Sequence, residues 1–171
     1  GRLRYHLHRP RPDMSPAPPL RSRRGAWQHP PEREPSLLGP KRFRFLNVIK
    51  DLEEIGWDDP AVDLLWRYNQ HYFDDLNAAG ANQRRAWHEA LLSQWQAENP
   101  PGHGTGWAPY PTSLRIVNLI KASLAGLPLD SSHLHSLAVQ VRWLSEKLEW
   151  HLLGNHLFAN AKALVLAGLF F

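Results

Sequence analysis

The residues best suited to chemistry stand near the C-terminal end of the sequence, in Gly154-Asn155-His156. The Asn155 amide carries two N–H donors and no charge. Such donors can stabilise negative charge that develops on a bound group during a reaction. Asn before an apolar helical run is also a favoured N-cap, worth about 1 kcal/mol. Asn155 is therefore a candidate catalytic residue with a structural alternative. His156 is a candidate assistant, or else a loop histidine satisfied by backbone.

A loop rich in Gly and Pro, residues 98–111, supplies a second group of candidates. Trp107 and Tyr110 could stack on sugar rings, and Arg115 in the following helix could pair with a carboxylate or sulfate. The alternative is a rigid connection with core aromatics and an Arg salt-bridged to a neighbouring helix. Asn69 stands on an apolar stripe, where it must be hydrogen-bonded inside the core or exposed in a cleft. His71 is a weaker candidate for the same cleft.

The sequence shows no pattern typical of a metal site or of a cysteine-based site. There is no cysteine, which excludes a disulfide framework, a cysteine zinc site and a cysteine nucleophile. His151 and Asn155 are four residues apart, but Gly154 interrupts the helix that a metal pair would need. No His-Glu-x-x-His pattern occurs. We therefore predict no metal or other cofactor in this segment.

The charges divide the chain into two parts. Residues 1–50 hold twelve Lys and Arg against three Asp and Glu, whereas residues 51–171 hold eight against thirteen. Nine of the 15 prolines also lie in the first 50 residues. This composition predicts a flexible basic arm over residues 1–42, because such a segment forms no regular helix and gains little by burial. The arm is a leader without contacts, or it binds an anionic partner. No interleaved aromatics support nucleic-acid binding.

From residue 43 the pattern changes to that of a packed domain. Residues 43–48 alternate briefly and predict one short extended segment. Five helices follow: from Asp58 or Asp59 to Gly80, over 83–97, from Thr112 or Ser113 to Gly126, from Ser131 or Ser132 onward, and from an Asn155 cap. The prediction is an all-α fold of antiparallel helical hairpins. Periodicity leaves a bundle, a solenoid and an α/α toroid open. The last helix is apolar nearly all round up to Phe171, so we expect a truncated chain whose core continues beyond it.

Three blocks carry a more specific resemblance. They are LWRYNQHYFD at 65–74, NPPGHGTGWAPYPTSLRIVN at 99–118, and LEWHLLGNHLFANAKAL at 148–164. In this order they resemble the N-terminal region of the heparinase II/III family of polysaccharide lyases, over residues 43–171. The arm before residue 43 is not part of the resemblance.

The resemblance implies an incomplete α/α toroid, followed beyond residue 171 by a β-sandwich region that closes a substrate cleft. It implies β-elimination at a uronic acid of an acidic polysaccharide, in the periplasm or another exported location. Asn155 matches the neutralising Asn of the heparin-sulfate lyase branch. The proton-exchanging Tyr and His, and any metal ion, would belong to the region after residue 171, so this chain should not catalyse alone. The other function class is a non-catalytic helical carbohydrate-binding or scaffold module. The longest apolar run, residues 163–171, is too short to span a membrane.

Overall fold

The computed structural model describes residues 11–22, 25–28, 31–152 and 154–171. Within these ranges, three strands come first: β1 (Leu37–Gly39), β2 (Arg42–Phe45) and β3 (Val48–Asp51). Six α-helices follow: α1 (Leu52–Ile55), α2 (Leu64–Gln70), α3 (Arg85–Glu98), α4 (Pro109–Leu124), α5 (Ser131–Ser145) and α6 (Asn155–Phe170). Short 3-10 turns lie at Asp74–Asn77, Ala81–Arg84 and Thr105–Trp107. The protein is mainly helical, and each of the five predicted helical regions contains an α-helix.

The strands form an antiparallel sheet in the order β1-β2-β3, which makes the all-α prediction wrong in this region. The predicted extended segment is confirmed as β2, but its two partner strands were not predicted. Leu37 pairs with Phe43, and Phe45 pairs with Val48 across a turn. Leu46 and Asn47 have φ angles of 53° and 60°, as a two-residue hairpin turn requires. Strands this short show too little alternation to be recognised in sequence.

The arm boundary predicted at residue 42 falls inside this hairpin and is corrected. Asp75, which is buried, accepts hydrogen bonds from the backbone N–H groups of Ser36 and Leu37, at 2.7 and 3.0 Å. Its other oxygen accepts from Arg84 Nε and His88 Nε2, both at 2.8 Å. The first two bonds attach the start of β1 to the helical body, and the other two hold the Asp75 carboxylate in place.

The described part of the arm is also held in place farther upstream. Arg142 of α5 donates to the carbonyl oxygens of Asp13, Ser15 and Pro16. The N–H of Arg21 donates to the carbonyl of Phe170 at 3.0 Å. Residues 1–10, which carry part of the predicted basic arm, lie outside the described residues.

The first predicted helix, from Asp58 or Asp59 to Gly80, is wrong in its bounds. α2 is capped by Asp63, whose carboxylate accepts from the N–H groups of Leu65 and Trp66. It ends at Gln70, and Phe73 takes a φ of 55°, which no continuing α-helix allows. At this end of the helix His71 packs closely against Gly106, where a Cβ atom would lie 2.6 Å from His71 Nδ1.

The remaining helices are confirmed with shifted starts. α3 lies close to its predicted range, and α4 begins at Pro109, a residue suited to a first helical turn, instead of Thr112 or Ser113. α5 is capped by Asp130, which accepts from the N–H of His133. The N-cap of α6 is Gly154, with φ of 83° and no side-chain hydrogen bond. The predicted Asn155 cap is therefore wrong, since Asn155 is the first helical residue.

α4 lies in the middle of the helical body. It packs against α5 and α6 in a core that includes Ile116, Ile120, Leu137 and Ala163. A second core joins the sheet to Trp66, Trp95 and Trp107. α6 leaves the side chains of Phe158, Val165 and Leu169 exposed on its outer face. Within the described ranges, no helix has the length and apolar character to cross a membrane.

Candidate functional site

The first turn of α6 meets the first turn of α4. The rings of His156 and Tyr110 lie 4.4 Å apart between centroids, and Tyr72 contacts Tyr110 edge-on at 6.1 Å. Glu149, in the connection between α5 and α6, forms a hydrogen bond with His156. We call the group formed by these residues with Asn155 and Tyr68 the Asn155 cluster. It brings together the two residues predicted from Gly154-Asn155-His156 and one aromatic residue from the Gly/Pro loop.

The Asn155 side chain is exposed and makes no hydrogen bond to any residue that the structure describes. Because Gly154 occupies the N-cap position, the Asn155 amide does not cap the helix. The side chain nonetheless stands at the positive end of the α6 dipole, where an anion is stabilised. The amide and the helix end can therefore act together on a carboxylate.

His156 is held by a buried polar network. Its Nδ1 lies 3.0 Å from Glu149 Oε1, and its side chain keeps 36% of its surface exposed. The other carboxylate oxygen accepts from Asn160 Nδ2 at 3.1 Å, and the same amide nitrogen donates to Ser113 Oγ at 2.9 Å. Asn160 and Ser113 are both fully buried. The Nδ1 side of the imidazole is thus fixed by Glu149, while part of the side chain stays accessible to solvent.

Two tyrosines of the cluster are kept neutral. Burial raises the pKa of Tyr72, with further contributions from Tyr110 and Asp74. Burial, followed by the charge of Glu149, raises the pKa of Tyr68. Both phenols therefore keep their protons at neutral pH and can donate hydrogen bonds, whereas neither is prepared to act as a base.

A basic surface adjoins the cluster. Burial, together with the charges of Lys162 and Arg33, lowers the pKa of Lys121, so these three cations lie close together. Lys162 follows Asn155 by two helical turns and lies on the same side of α6. Asp74 pairs with Arg33 at 3.2 Å. Asp74 thus offsets part of the positive charge of Arg33, Lys121 and Lys162, and the remaining charge makes this surface attractive to an anionic ligand.

The structure removes His71 and Trp107 from the candidate binding surface. His71 is fully buried: its Nδ1 accepts from Trp95 Nε1 at 2.9 Å, and its Nε2 donates to the carbonyl oxygen of Trp57 at 3.0 Å. Burial, with a smaller effect from Arg115, lowers the pKa of His71 to about 3. Trp107 is 3% exposed and donates to the carbonyl of Asn99. Both residues belong to the aromatic core.

Arg115 is likewise a core residue and not a substrate contact. Its Nε donates to Gln140 Oε1 at 2.8 Å, and its Nη1 donates to the carbonyl of His71 at 3.1 Å. The guanidinium stacks on Trp95, 3.9 Å from the ring centroid. Burial lowers the pKa of Arg115 to about 9. Its partner on the neighbouring helix is an amide, so the predicted salt bridge is absent among the described residues.

Arg115→Lys should lower the free energy of unfolding by about 1–3 kcal/mol, because a lysine cannot reproduce the planar stack and the fork of donors. Urea denaturation followed by circular dichroism measures this change. Arg85→Lys is the control: Arg85 is exposed, its side chain donates to the Gly126 carbonyl, and the substitution should change stability by less than about 0.5 kcal/mol. Equal stability of the Arg115→Lys variant and the parent would contradict the core role.

Asn69 does not join the candidate site. Asn69 is half-buried, and its Nδ2 donates to the Leu65 carbonyl one turn earlier in α2, at 2.7 Å. Its amide is thus satisfied locally and lies outside the Asn155 cluster.

In the part of the chain that the structure describes, no group of three His, Asp or Glu residues is arranged to hold a metal ion.

Sequence reasoning missed Glu149, Tyr68 and Asn160 as members or supports of the site. All three stand in the blocks that carry the family resemblance, and Glu149 precedes His156 by seven residues. The interruption before α6 hides this pairing, since a helical spacing rule applies only within one helix.

Comparison of the chain with models of protein families, with curated proteins and with solved structures gives no match. The resemblance to the heparinase II/III family therefore depends on the three sequence blocks and stays a prediction.

Proposed function

We propose that this chain is the N-terminal helical part of a polysaccharide lyase that cleaves a uronic-acid polysaccharide by β-elimination. The observation that carries the proposal is the exposed Asn155 amide, which has no described partner, at the start of α6 and beside His156. Buried Asn residues in this protein are bonded, as Asn118 and Asn160 illustrate. An amide left open at a helix N-terminus is suited to a carboxylate ligand.

In the proposed reaction, Asn155 donates to the C6 carboxylate of the uronic acid. Removal of the C5 proton then places a second negative charge on this group, and the amide donors stabilise the charge as it develops. Electrons from the broken C5–H bond form the C4–C5 double bond, and the glycosidic oxygen at C4 leaves with a proton. His156 stands close enough to Asn155 in the chain to assist at the same sugar ring.

The rest of the proposal follows from the family resemblance. The helical hairpins would form part of an incomplete α/α toroid, and a β-sandwich region after residue 171 would close the cleft. That region would supply the Tyr and His that exchange protons, together with any metal ion. The protein would act in the periplasm or in another exported location.

The basic surface and the tyrosines support an acidic carbohydrate as the ligand. Arg33, Lys121 and Lys162 offer positive charge beside the cluster, and Tyr110 offers a half-buried ring next to His156. The same features would serve the alternative function, a non-catalytic carbohydrate-binding module. The two functions differ in whether an unsaturated product forms.

The test has two arms. The 171-residue chain should bind a uronic-acid oligosaccharide, detected by NMR shifts at Asn155 and His156, and should release no unsaturated uronate. The full-length protein should release that product, which is followed by ultraviolet absorbance. Binding without product from the full-length protein would support the non-catalytic module, and the absence of both would refute a carbohydrate function.

Lys162→Glu should weaken oligosaccharide binding roughly fivefold, or by about 1 kcal/mol, because it reverses one charge of the basic surface. Isothermal titration calorimetry at low and high salt measures the effect, which should shrink as salt screens the charges. Lys50→Glu, in β3, is the matched charge reversal outside this surface. Equal affinities of the two variants would exclude the basic surface from ligand binding.

A further inference from the structure

The tautomer of His156 follows from the residues around Glu149. A carboxylate accepts hydrogen bonds and donates none, so the contact of 3.0 Å between Glu149 Oε1 and His156 Nδ1 requires a proton on Nδ1. In a neutral imidazole the other nitrogen, Nε2, then carries the lone pair. Nε2 has no hydrogen-bond partner among the described residues, and the side chain is 36% exposed.

We infer that Glu149 is a positioning residue that holds His156 in the Nδ1-protonated form, so that Nε2 is an open proton acceptor beside Asn155. The inference deepens the proposed function, since the uronic acid of that reaction is what would offer the acceptor a proton. Glu149 itself is buried and does not face the ligand. Its role is to decide which edge of the ring is basic.

The orientation of Asn160 fixes the direction of the network. Asn160 Oδ1 accepts from the backbone N–H of Glu149 at 2.9 Å, so its Nδ2 must face Glu149 Oε2 and Ser113 Oγ. Ser113 Oγ donates to the Pro109 carbonyl at 2.8 Å and can therefore accept from Asn160. Each donor of this network thus meets an acceptor. If the Asn160 amide were rotated by 180°, or if the Ser113 hydroxyl pointed towards Asn160 Nδ2, two donors would face each other.

This directionality makes Glu149→Gln a sharp test. Glutamine has one oxygen and one NH₂ group, and the oxygen must face Asn160 Nδ2. The NH₂ group then faces His156 Nδ1, which must become the acceptor and transfer its proton to Nε2. The variant should therefore reverse the tautomer, whereas loss of an unrelated carboxylate should not.

The experiment records long-range ¹H–¹⁵N spectra of the ¹⁵N-histidine-labelled chain at a pH where imidazoles are neutral. The His156 signals are assigned by their loss in His156→Gln. The parent should favour the Nδ1-protonated form by roughly tenfold or more, and Glu149→Gln should favour the Nε2-protonated form to a similar extent. Glu146→Gln, an exposed neighbour at the end of α5, should retain the parental tautomer.

An Nε2-protonated or evenly mixed parent overturns the inference, and so does an unchanged tautomer in a folded Glu149→Gln variant. If that variant does not fold, the parent spectrum decides by itself. The oligosaccharide assay is a separate readout: a parent with the expected tautomer but no binding retains the positioning role and refutes the proposed function.

Discussion

Asn155→Asp should fold as well as the parent and lose roughly 10²–10³ in kcat in the full-length protein, or about 3–4 kcal/mol of barrier. The substitution exchanges a donor for a negative charge beside the substrate carboxylate. It should not harm folding, because Asn155 is the first residue of α6 and makes no cap bond. A carboxylate in the first turn of a helix instead contributes about 0.3–1 kcal/mol through the helix dipole.

Asn155→Ala should show a comparable loss of turnover with a change in stability of less than about 0.5 kcal/mol. The measurements are kcat on an acidic glycan that the parent cleaves and the melting temperature of each variant. Asn82→Asp makes the same charge change at an exposed position outside the Asn155 cluster, and it should keep parental turnover. Near-parental kcat in Asn155→Asp would eliminate Asn155 as the neutralising residue.

Asp75→Asn should cost about 3–5 kcal/mol of folding stability, because it leaves the half-buried Arg84 and the buried His88 facing an amide instead of a carboxylate. It also weakens the attachment of β1. Chemical denaturation gives the free energy of unfolding. Glu53→Ala, which removes an exposed partner of Lys41, is the control and should cost less than about 1 kcal/mol.

The same carboxylate predicts a pH dependence. Burial raises the pKa of Asp75, but hydrogen bonds from His88, Arg84, Leu37 and Ser36 outweigh it and lower the pKa to about 2 from 3.8. A folded-state pKa below the unfolded value contributes stability above about pH 4, which is lost as the pH falls towards 2. The parent should therefore lose more stability than Asp75→Asn over this window. Parallel acid titrations of the two proteins would contradict the role of Asp75.

The helical pattern could be predicted from sequence where a polar face and an apolar face repeat over several turns, as in α3 and α5. The prediction from this pattern failed between residues 58 and 80, where Phe73 adopts a left-handed conformation that no spacing rule anticipates. β1 and β3 were missed because each has only three or four residues, too few for an alternating pattern, and because the hydrogen bond between Asp75 and Leu37 joins residues 38 positions apart.

Part of the candidate site could also be predicted. Asn155 and His156 follow from side-chain chemistry at a helix start, and Tyr110 follows from an aromatic residue in a Gly/Pro loop. Arg115 could not be placed, because a charged side chain at a helix start suggests exposure, whereas Trp95 and Gln140 provide it with a buried site. Only the fold decides which of these two environments the residue occupies.

The contact of Arg142 with the carbonyls of Asp13, Ser15 and Pro16 joins parts of the chain 126 to 129 residues apart. Contacts between parts of the chain so far apart require a long loop to close first, so we expect this segment to attach late in folding. Farther along the N-terminal part of the chain, Leu20 and Trp27 line a cavity of about 310 Å³ together with Ile120 and Phe170. We therefore expect the N-terminal segment to open before the helices unfold, which would expose the apolar side of α4 and α6 to water.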